Sequence, residues 1–95
     1  MIKEKDIQKE QFALTTEILN SQSSSEREEC LFSLTLNGNT VFGISVKEGE
    51  EASICTVQCQ EDNARRLFSI VREYKASPIQ LSEITEDFIK ENFLF

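Results

Sequence analysis

Apolar residues recur along this chain with two different spacings, which predict strands followed by helices. In residues 30–36 and 42–46 every second residue is apolar, as in strands that bury one face. A charged turn over 47–51 leads to a further strand, 52–58, whose buried face the pattern does not identify because both faces carry apolar residues. From about Gln60 the spacing becomes that of an amphipathic helix.

The beginning of the chain is less regular. Residues 12–19 fit either a strand or a helix, and the two threonines with their branched neighbours favour a strand. Residues 1–10 are polar and mixed in charge, and residues 20–29 offer nothing to pack. We therefore predict a single domain that spans residues 1–95, with a mobile N-terminal segment over residues 1–10 and a mobile connection over residues 20–29.

The hairpin around residues 37–39 decides which face each strand buries. Both strands carry apolar residues at even positions: Cys30, Phe32, Leu34 and Leu36 in the first, and Phe42, Ile44 and Val46 in the second. A two-residue Asn37-Gly38 loop would pair Leu36 with Asn39 and turn one of these sets toward water. We therefore predict a loop of odd length, most simply three residues with a bulge. Gly43, in mid-strand, predicts close approach of another backbone or a bend.

Two helices are predicted in the C-terminal part. The first carries an apolar stripe of Ala64, Leu67, Phe68, Val71 and Tyr74. Ser77-Pro78 ends it and can also begin the next helix, with Ser77 as N-cap and Gln80 completing a capping box. A later start capped by Ser82 is the alternative.

These elements predict an α+β fold, an antiparallel sheet of three or four strands with the two C-terminal helices packed on one face. Apolar side chains from all of the strands and helices after the first strand are expected to fill one core. The predicted core residues are Phe32, Leu34, Phe42, Ile44, Val46, Ile54, Leu67, Phe68, Val71, Leu81, Ile84 and Phe88.

Charge and composition narrow the classes of function. The 95 residues include 10 Lys+Arg and 17 Asp+Glu, a net charge of −7. A negative field of this size repels nucleic acid and anionic membranes, so we expect neither as a partner. We expect the partner to be another protein, and electrostatic attraction would favour one with a basic surface. No run approaches the ~18–20 apolar residues of a membrane span, and no signal-peptide core follows Met1, so we expect a cytoplasmic protein.

Candidate chemistry is sparse. The chain has no histidine, which removes Ser-His and Cys-His pairs and most transition-metal sites. Cys55 and Cys59 would lie about 13 Å apart on a strand, too far to share a metal ion or form a disulfide. We therefore expect no metal, no cofactor and no catalytic residue. The basic residues Arg65, Arg66, Arg72 and Lys75 fit ordinary salt-bridged surface better than a phosphate site.

The C-terminal half resembles a known family. Gly43-Ile44-Ser45-Val46, a charged turn, an amphipathic helix and the ending Ser77-Pro78-Ile79-x-Leu81-x-Glu83-Ile84-x-Glu86-Asp87-Phe88 are similar to short uncharacterised proteins of spore-forming Firmicutes that share a domain of unknown function. Phe42 stands where that family often has tyrosine, and Gln80 where it often has histidine. The resemblance covers roughly the last 55 residues and implies no particular activity, cofactor or partner.

Three hypotheses for function follow. The leading one is a non-enzymatic protein-interaction or regulatory module, whose partner-binding residues are the acids of the second helix and the apolar C-terminus, through which it could also dimerise. Those residues are Glu83, Glu86, Asp87, Phe93, Leu94 and Phe95. The second is an acidic mimic of nucleic acid, which requires the acids of 26–51 and 83–91 to form one strip. The third is a small enzyme, which requires a concave pocket lined by Glu83 and Asp87 or by Cys55.

Overall fold

Four strands and two helices follow one another in the computed structural model, which describes residues 14–92. The elements are β1 (Leu14–Ser23), β2 (Arg27–Leu36), β3 (Asn39–Glu48), β4 (Glu51–Val57), α1 (Glu61–Glu73) and α2 (Leu81–Asn92). The strands form one antiparallel sheet in the order β1-β2-β3-β4. Helix α1 contacts β2 and β3, and α2 contacts β4 and α1. The predicted α+β fold, with both helices on one face of the sheet, is confirmed.

The strand predicted within residues 12–19 is confirmed from Leu14 onward, whereas the predicted connection over 20–29 is too long. Residues 20–23 belong to β1 and residues 27–29 to β2, and a backbone hydrogen bond from Ser24 N–H to Arg27 O (2.8 Å) closes the turn between them. Polar side chains do not prevent strand formation here, because the strands pair through backbone groups. The predicted N-terminal segment over residues 1–10 lies outside the described residues.

The turn between β2 and β3 corrects the predicted odd-length loop. Only Asn37 and Gly38 lie between the strands, with φ of 51° and 85°, and Leu36 pairs with Asn39. Asn-Gly adopts this left-handed pair of conformations at little cost, and the resulting turn matches the twist of the strands. The apolar sets of β2 and β3 therefore lie on opposite faces of the sheet, and Leu31 takes the place under the helices that Phe32 was expected to fill.

The core lies between the sheet and the two helices. The buried apolar residues are Leu31, Phe42, Ile44, Val46, Val57, Ala64, Leu67, Phe68, Val71, Ala76, Leu81 and Phe88, with Ile84 partly buried against them. Phe32, Leu34 and Ile54 were expected here and lie on the other face of the sheet. Tyr74 was expected in the stripe of α1 but is 75% exposed, because it follows the last helical turn.

The capping box predicted at Ser77 is present. The Ser77 N–H donates to Gln80 Oε1 (3.1 Å), and the Gln80 N–H donates to Ser77 Oγ (3.3 Å). Residues 78–80 form a turn that continues into α2, since the Ile84 N–H donates to Gln80 O. This reciprocal pair satisfies two backbone donors at the helix start and favours the Ser77 cap over the Ser82 alternative.

Candidate functional site

The face of the sheet that points away from the helices is the most distinctive surface of the described chain. We call it the open face, and the pairing of the strands defines its members. They are Leu14, Thr16, Ile18, Ser21 and Ser23 of β1, Cys30, Phe32, Leu34 and Leu36 of β2, Asn39, Val41, Gly43 and Ser45 of β3, and Ala52, Ile54 and Thr56 of β4. None of these side chains is charged. The nearest charges on the same face are Glu28 and Lys47, which oppose each other at one end of the central strand pair.

Several large apolar side chains of the open face are accessible to water. Ile18 is 66% exposed, Leu14 62%, Ile54 59% and Leu36 42%. Phe32, Leu34 and Val41 lie between them and are half-buried. Single exposed apolar residues are ordinary, but an apolar patch that spans three neighbouring strands is typical of a surface that binds another protein.

The centre of the open face is built from Phe32 and Gly43. These residues oppose each other on β2 and β3, and the Phe32 ring occupies the space that a Cβ atom at position 43 would need. The prediction that another backbone approaches Gly43 is wrong, because the group that lies close to it is the aromatic ring of Phe32. Because Gly43 has no side chain, the ring lies against β3 and gives the centre of the face a flat aromatic surface.

On the helix side of the sheet, a charged cluster joins β2 to α1. Glu29 is 8% exposed and accepts a 2.7 Å hydrogen bond from Arg27 Nε, while Arg72 Nε lies 3.9 Å from its other oxygen. Arg27 also bonds to Glu48 through Nη1 (3.3 Å), and its buried Nη2 has no hydrogen-bond partner. The cluster lines a depression of about 440 Å³ together with Lys75. Its charges are balanced, so we interpret it as a structural ion-pair network that fixes α1 on the sheet.

The predicted acidic surface on α2 is exposed. Glu83 and Asp87 line a shallow depression of about 260 Å³ beside Tyr74, and Glu86 is exposed next to them. The structure therefore brings Glu83 and Asp87 together on one helix face, as their spacing predicts. Phe93, Leu94 and Phe95 lie outside the described residues.

The basic residues of α1 have partners within the fold. Arg65 forms a 2.8 Å salt bridge with Glu61, Arg66 lies over the Phe88 ring at 5.5 Å, and Arg72 lies over the Phe68 ring at 5.8 Å. These contacts use the guanidinium groups to cover the core and pair with acids. They support the interpretation of this helix as salt-bridged surface.

The three cysteines are free and partly buried. Cys55 pairs with Ile44 on the helix side of the sheet and, like Cys59, packs against the core, while Cys30 lies on the open face. Burial raises the pKa of the Cys30 and Cys59 thiols above the ordinary value of 9.0. Within residues 14–92, no three His, Cys, Asp or Glu side chains converge as ligands for a metal ion.

The raised pKa values predict slow thiol chemistry at neutral pH. We expect iodoacetamide at pH 7.5 to alkylate Cys30 and Cys59 more slowly in the folded chain than in the urea-unfolded chain, because less thiolate is present. Because their pKa values are raised in the folded chain, the contribution of the two thiols to the free energy of unfolding is fully present below about pH 9. It is lost as the pH rises through the pKa values of the folded chain. Peptide-resolved mass spectrometry measures the rates, and equal rates in the folded and unfolded chains would contradict the burial.

Comparison with known proteins adds no assignment. No protein-family model, curated protein or solved structure matches the chain. The resemblance of the C-terminal half to the Firmicutes family stays a prediction. Neither helix within residues 14–92 is long and apolar enough to cross a bilayer.

Sequence reasoning missed the open face, although its signal was present. The alternating apolar residues of β2 and the Asn37-Gly38 turn together place Phe32 and Leu34 on the face of the sheet that does not contain Phe42. The prediction rejected that turn because it assumed that all apolar strand residues share one core.

Proposed function

We propose that this chain is a non-enzymatic protein-interaction module of the cytoplasm, and that it binds through the open face. The observation that carries the proposal is the apolar surface of β1, β2 and β3, with Phe32 at its centre and Ile18 exposed at one edge, together with the exposed Ile54 on β4 beyond Ser45. Removing apolar surface from water is favourable, so a protein that covers this surface gains binding free energy from it.

The arrangement of the open face also fits what is known of binding energetics. Interfaces draw most of their affinity from a few central aromatic or branched side chains, surrounded by residues that exclude water. Phe32 is central, half-buried and packed over Gly43, and these contacts limit the rotamer freedom that its side chain would lose on binding. We expect Phe32 to be the residue whose truncation weakens binding most.

The acidic residues of α2 have a lesser role in this proposal. Glu83, Glu86 and Asp87 are exposed on a different surface from the open face. Exposed charges mainly raise association rates and select between partners, whereas buried apolar contacts supply affinity. We propose them as a secondary contact for a partner that is basic at that position.

The acidic nucleic-acid mimic has weaker support. Glu26 and Glu28 lie at one end of the sheet, but Arg27 and Lys47 line the same depression. Cations among the acids break the uniform row of negative charge that imitation of a phosphate backbone requires.

Site-specific photo-crosslinking in living cells tests the proposed binding surface. A benzophenone amino acid at position 18 or 54 is expected to give discrete protein adducts, identified by mass spectrometry. The control is the same amino acid at position 79, which lies on the helix side and is 71% exposed. Adducts that form only from position 79, or equal adducts from all three positions, would contradict the open face as the binding surface.

A further inference from the structure

We propose that the open face is covered by a second copy of this chain, in a symmetric homodimer whose two sheets pack face to face. This inference rests on the proposed function and names the partner. The twofold axis runs between β2 and β3, parallel to the strands, so that β2 of each copy lies over β3 of the other.

The area of the open face is sufficient for such a dimer. Four strands at a spacing of about 4.8 Å, each 7 to 10 residues long, cover roughly 450–600 Å² in plan. Side chains that project from the sheet make the accessible area larger than the plan. The plan area of two faces is roughly 900–1,200 Å² together, which is close to the minimum of about 1,000 Å² for a specific protein interface even before the projecting side chains are included.

The distribution of charge favours a copy of the same chain over a strongly basic partner. Each chain carries a net charge of −7, yet the open face contains no charged residue apart from Glu28 and Lys47 at its end. Two copies can thus meet without placing acids against acids, and a basic protein would find no rows of acids on this face to bind.

The register makes the face complementary to itself about the proposed axis. Glu28 opposes Lys47 on the neighbouring strand, and Phe32 opposes Gly43. Rotation about an axis between β2 and β3 therefore places Glu28 of each copy over Lys47 of the other. The dimer then contains two equivalent ion pairs between its copies. The same rotation brings the two Phe32 rings together at the axis, each covering the Gly43 of its own chain.

The edge strands are complementary under the same symmetry. The rotation places Ile18 of β1 over Thr56 of β4 in the other copy, and Ser21 of β1 over Ile54. Large side chains then oppose small ones at both edges, as close packing of two sheets requires.

The first test measures the mass of the full chain by sedimentation from 1 to 200 µM, with Ile54→Lys as the disrupting variant. We expect a species of about 22 kDa, twice the chain mass of 10.9 kDa. Ile54→Lys should raise the dimer dissociation constant by about 100-fold or more, because an unpaired charge enters an apolar interface. Ile79→Lys, on the exposed helix side, is the matched control and should leave the dimer unchanged. Circular dichroism verifies that both variants fold.

A charge exchange tests the symmetry itself. Glu28→Lys and Lys47→Glu each create like-charge contacts across the proposed axis, and each should weaken its own homodimer by about tenfold. A mixture of the two variants restores opposite charges between copies while each chain keeps its internal like-charge pair. We therefore expect the mixture to form heterodimers of wild-type affinity.

The outcomes separate this inference from the proposed function. A chain of 10.9 kDa at 200 µM, or a dimer that Ile54→Lys does not weaken, overturns the homodimer. Failure of the mixed variants to associate more tightly than either alone overturns the proposed axis. If the chain is monomeric and positions 18 and 54 crosslink to a different protein, the interaction module stands and the second copy is excluded. Monomeric chain without specific adducts overturns both.

Discussion

Replacing Leu31 with alanine is expected to lower the free energy of unfolding by about 2–5 kcal/mol, the range for a large aliphatic side chain removed from a packed core. Leu31 is fully buried and pairs with Ile44 beneath the helices. A loss of this size is a large share of the stability of a small domain, which is typically about 5–15 kcal/mol. Urea unfolding followed by circular dichroism measures it.

The matched control is Leu34→Ala, since Leu34 lies on the same strand but on the open face and is half-buried. Both substitutions should be made in the monomeric Ile54→Lys background, so that association does not add to the measured stability. We expect Leu34→Ala to cost about 1 kcal/mol. A larger loss at Leu34 than at Leu31 would show that the strand is shifted by one residue and that the odd-length loop was right.

Removing the Glu29 side chain is expected to have the second large effect. Glu29→Ala should cost about 3 kcal/mol, because the Arg27 guanidinium stays buried after its nearest carboxylate is lost. The pair lies under the end of α1, where Arg72 also approaches Glu29. Unfolding by urea at pH 7 is the measurement, and the loss should persist at high salt because the pair is largely shielded from solvent.

Two further variants identify the origin of that effect. Glu48→Ala removes the other acid bonded to Arg27, but Glu48 is much more exposed, and we expect a loss below about 1 kcal/mol. The double substitution Arg27→Met with Glu29→Leu removes both charges and should be close to neutral. If the double variant is as unstable as Glu29→Ala, packing rather than an unpaired charge is the cause.

Local signals in the sequence predicted most of the elements. The reciprocal hydrogen bonds of Ser77 and Gln80 join residues three apart, so the residue types at that spacing suffice to predict them. The stripe from Ala64 to Val71 depends in the same way on helical periodicity, and each of its members is buried. Such features require no knowledge of what the element packs against.

The choice of sheet face depends on more than local signals. Leu31 lies between two apolar neighbours in sequence, so periodicity in β2 pointed to Phe32 and Leu34 rather than to Leu31 as core residues. The turn chemistry of Asn37-Gly38 pointed to the observed register. These signals conflict only under the assumption that a small sheet has one apolar face, and this sheet has two.

The candidate site was predicted only in part, for the same reason. Glu83 and Asp87 lie together because helical spacing dictates it. The open face requires four strands to be placed in register, and Leu14 and Ile54 are 40 residues apart in the chain. No local pattern brings such distant residues onto one surface.

Pairing of strands in chain order also affects the newly synthesised protein. Each strand can pair as soon as its neighbour is made, whereas α2 ends at Asn92, 35 residues after the sheet is complete at Val57. At translation rates of about 5–20 residues per second, the sheet precedes the complete α2 by roughly 2–7 s. The open face is uncovered throughout that interval, and the helix side is uncovered until α1 and then α2 are made. Early cover on either face, from the ribosome-bound chain's own helices or from another protein, therefore protects the nascent sheet from aggregation.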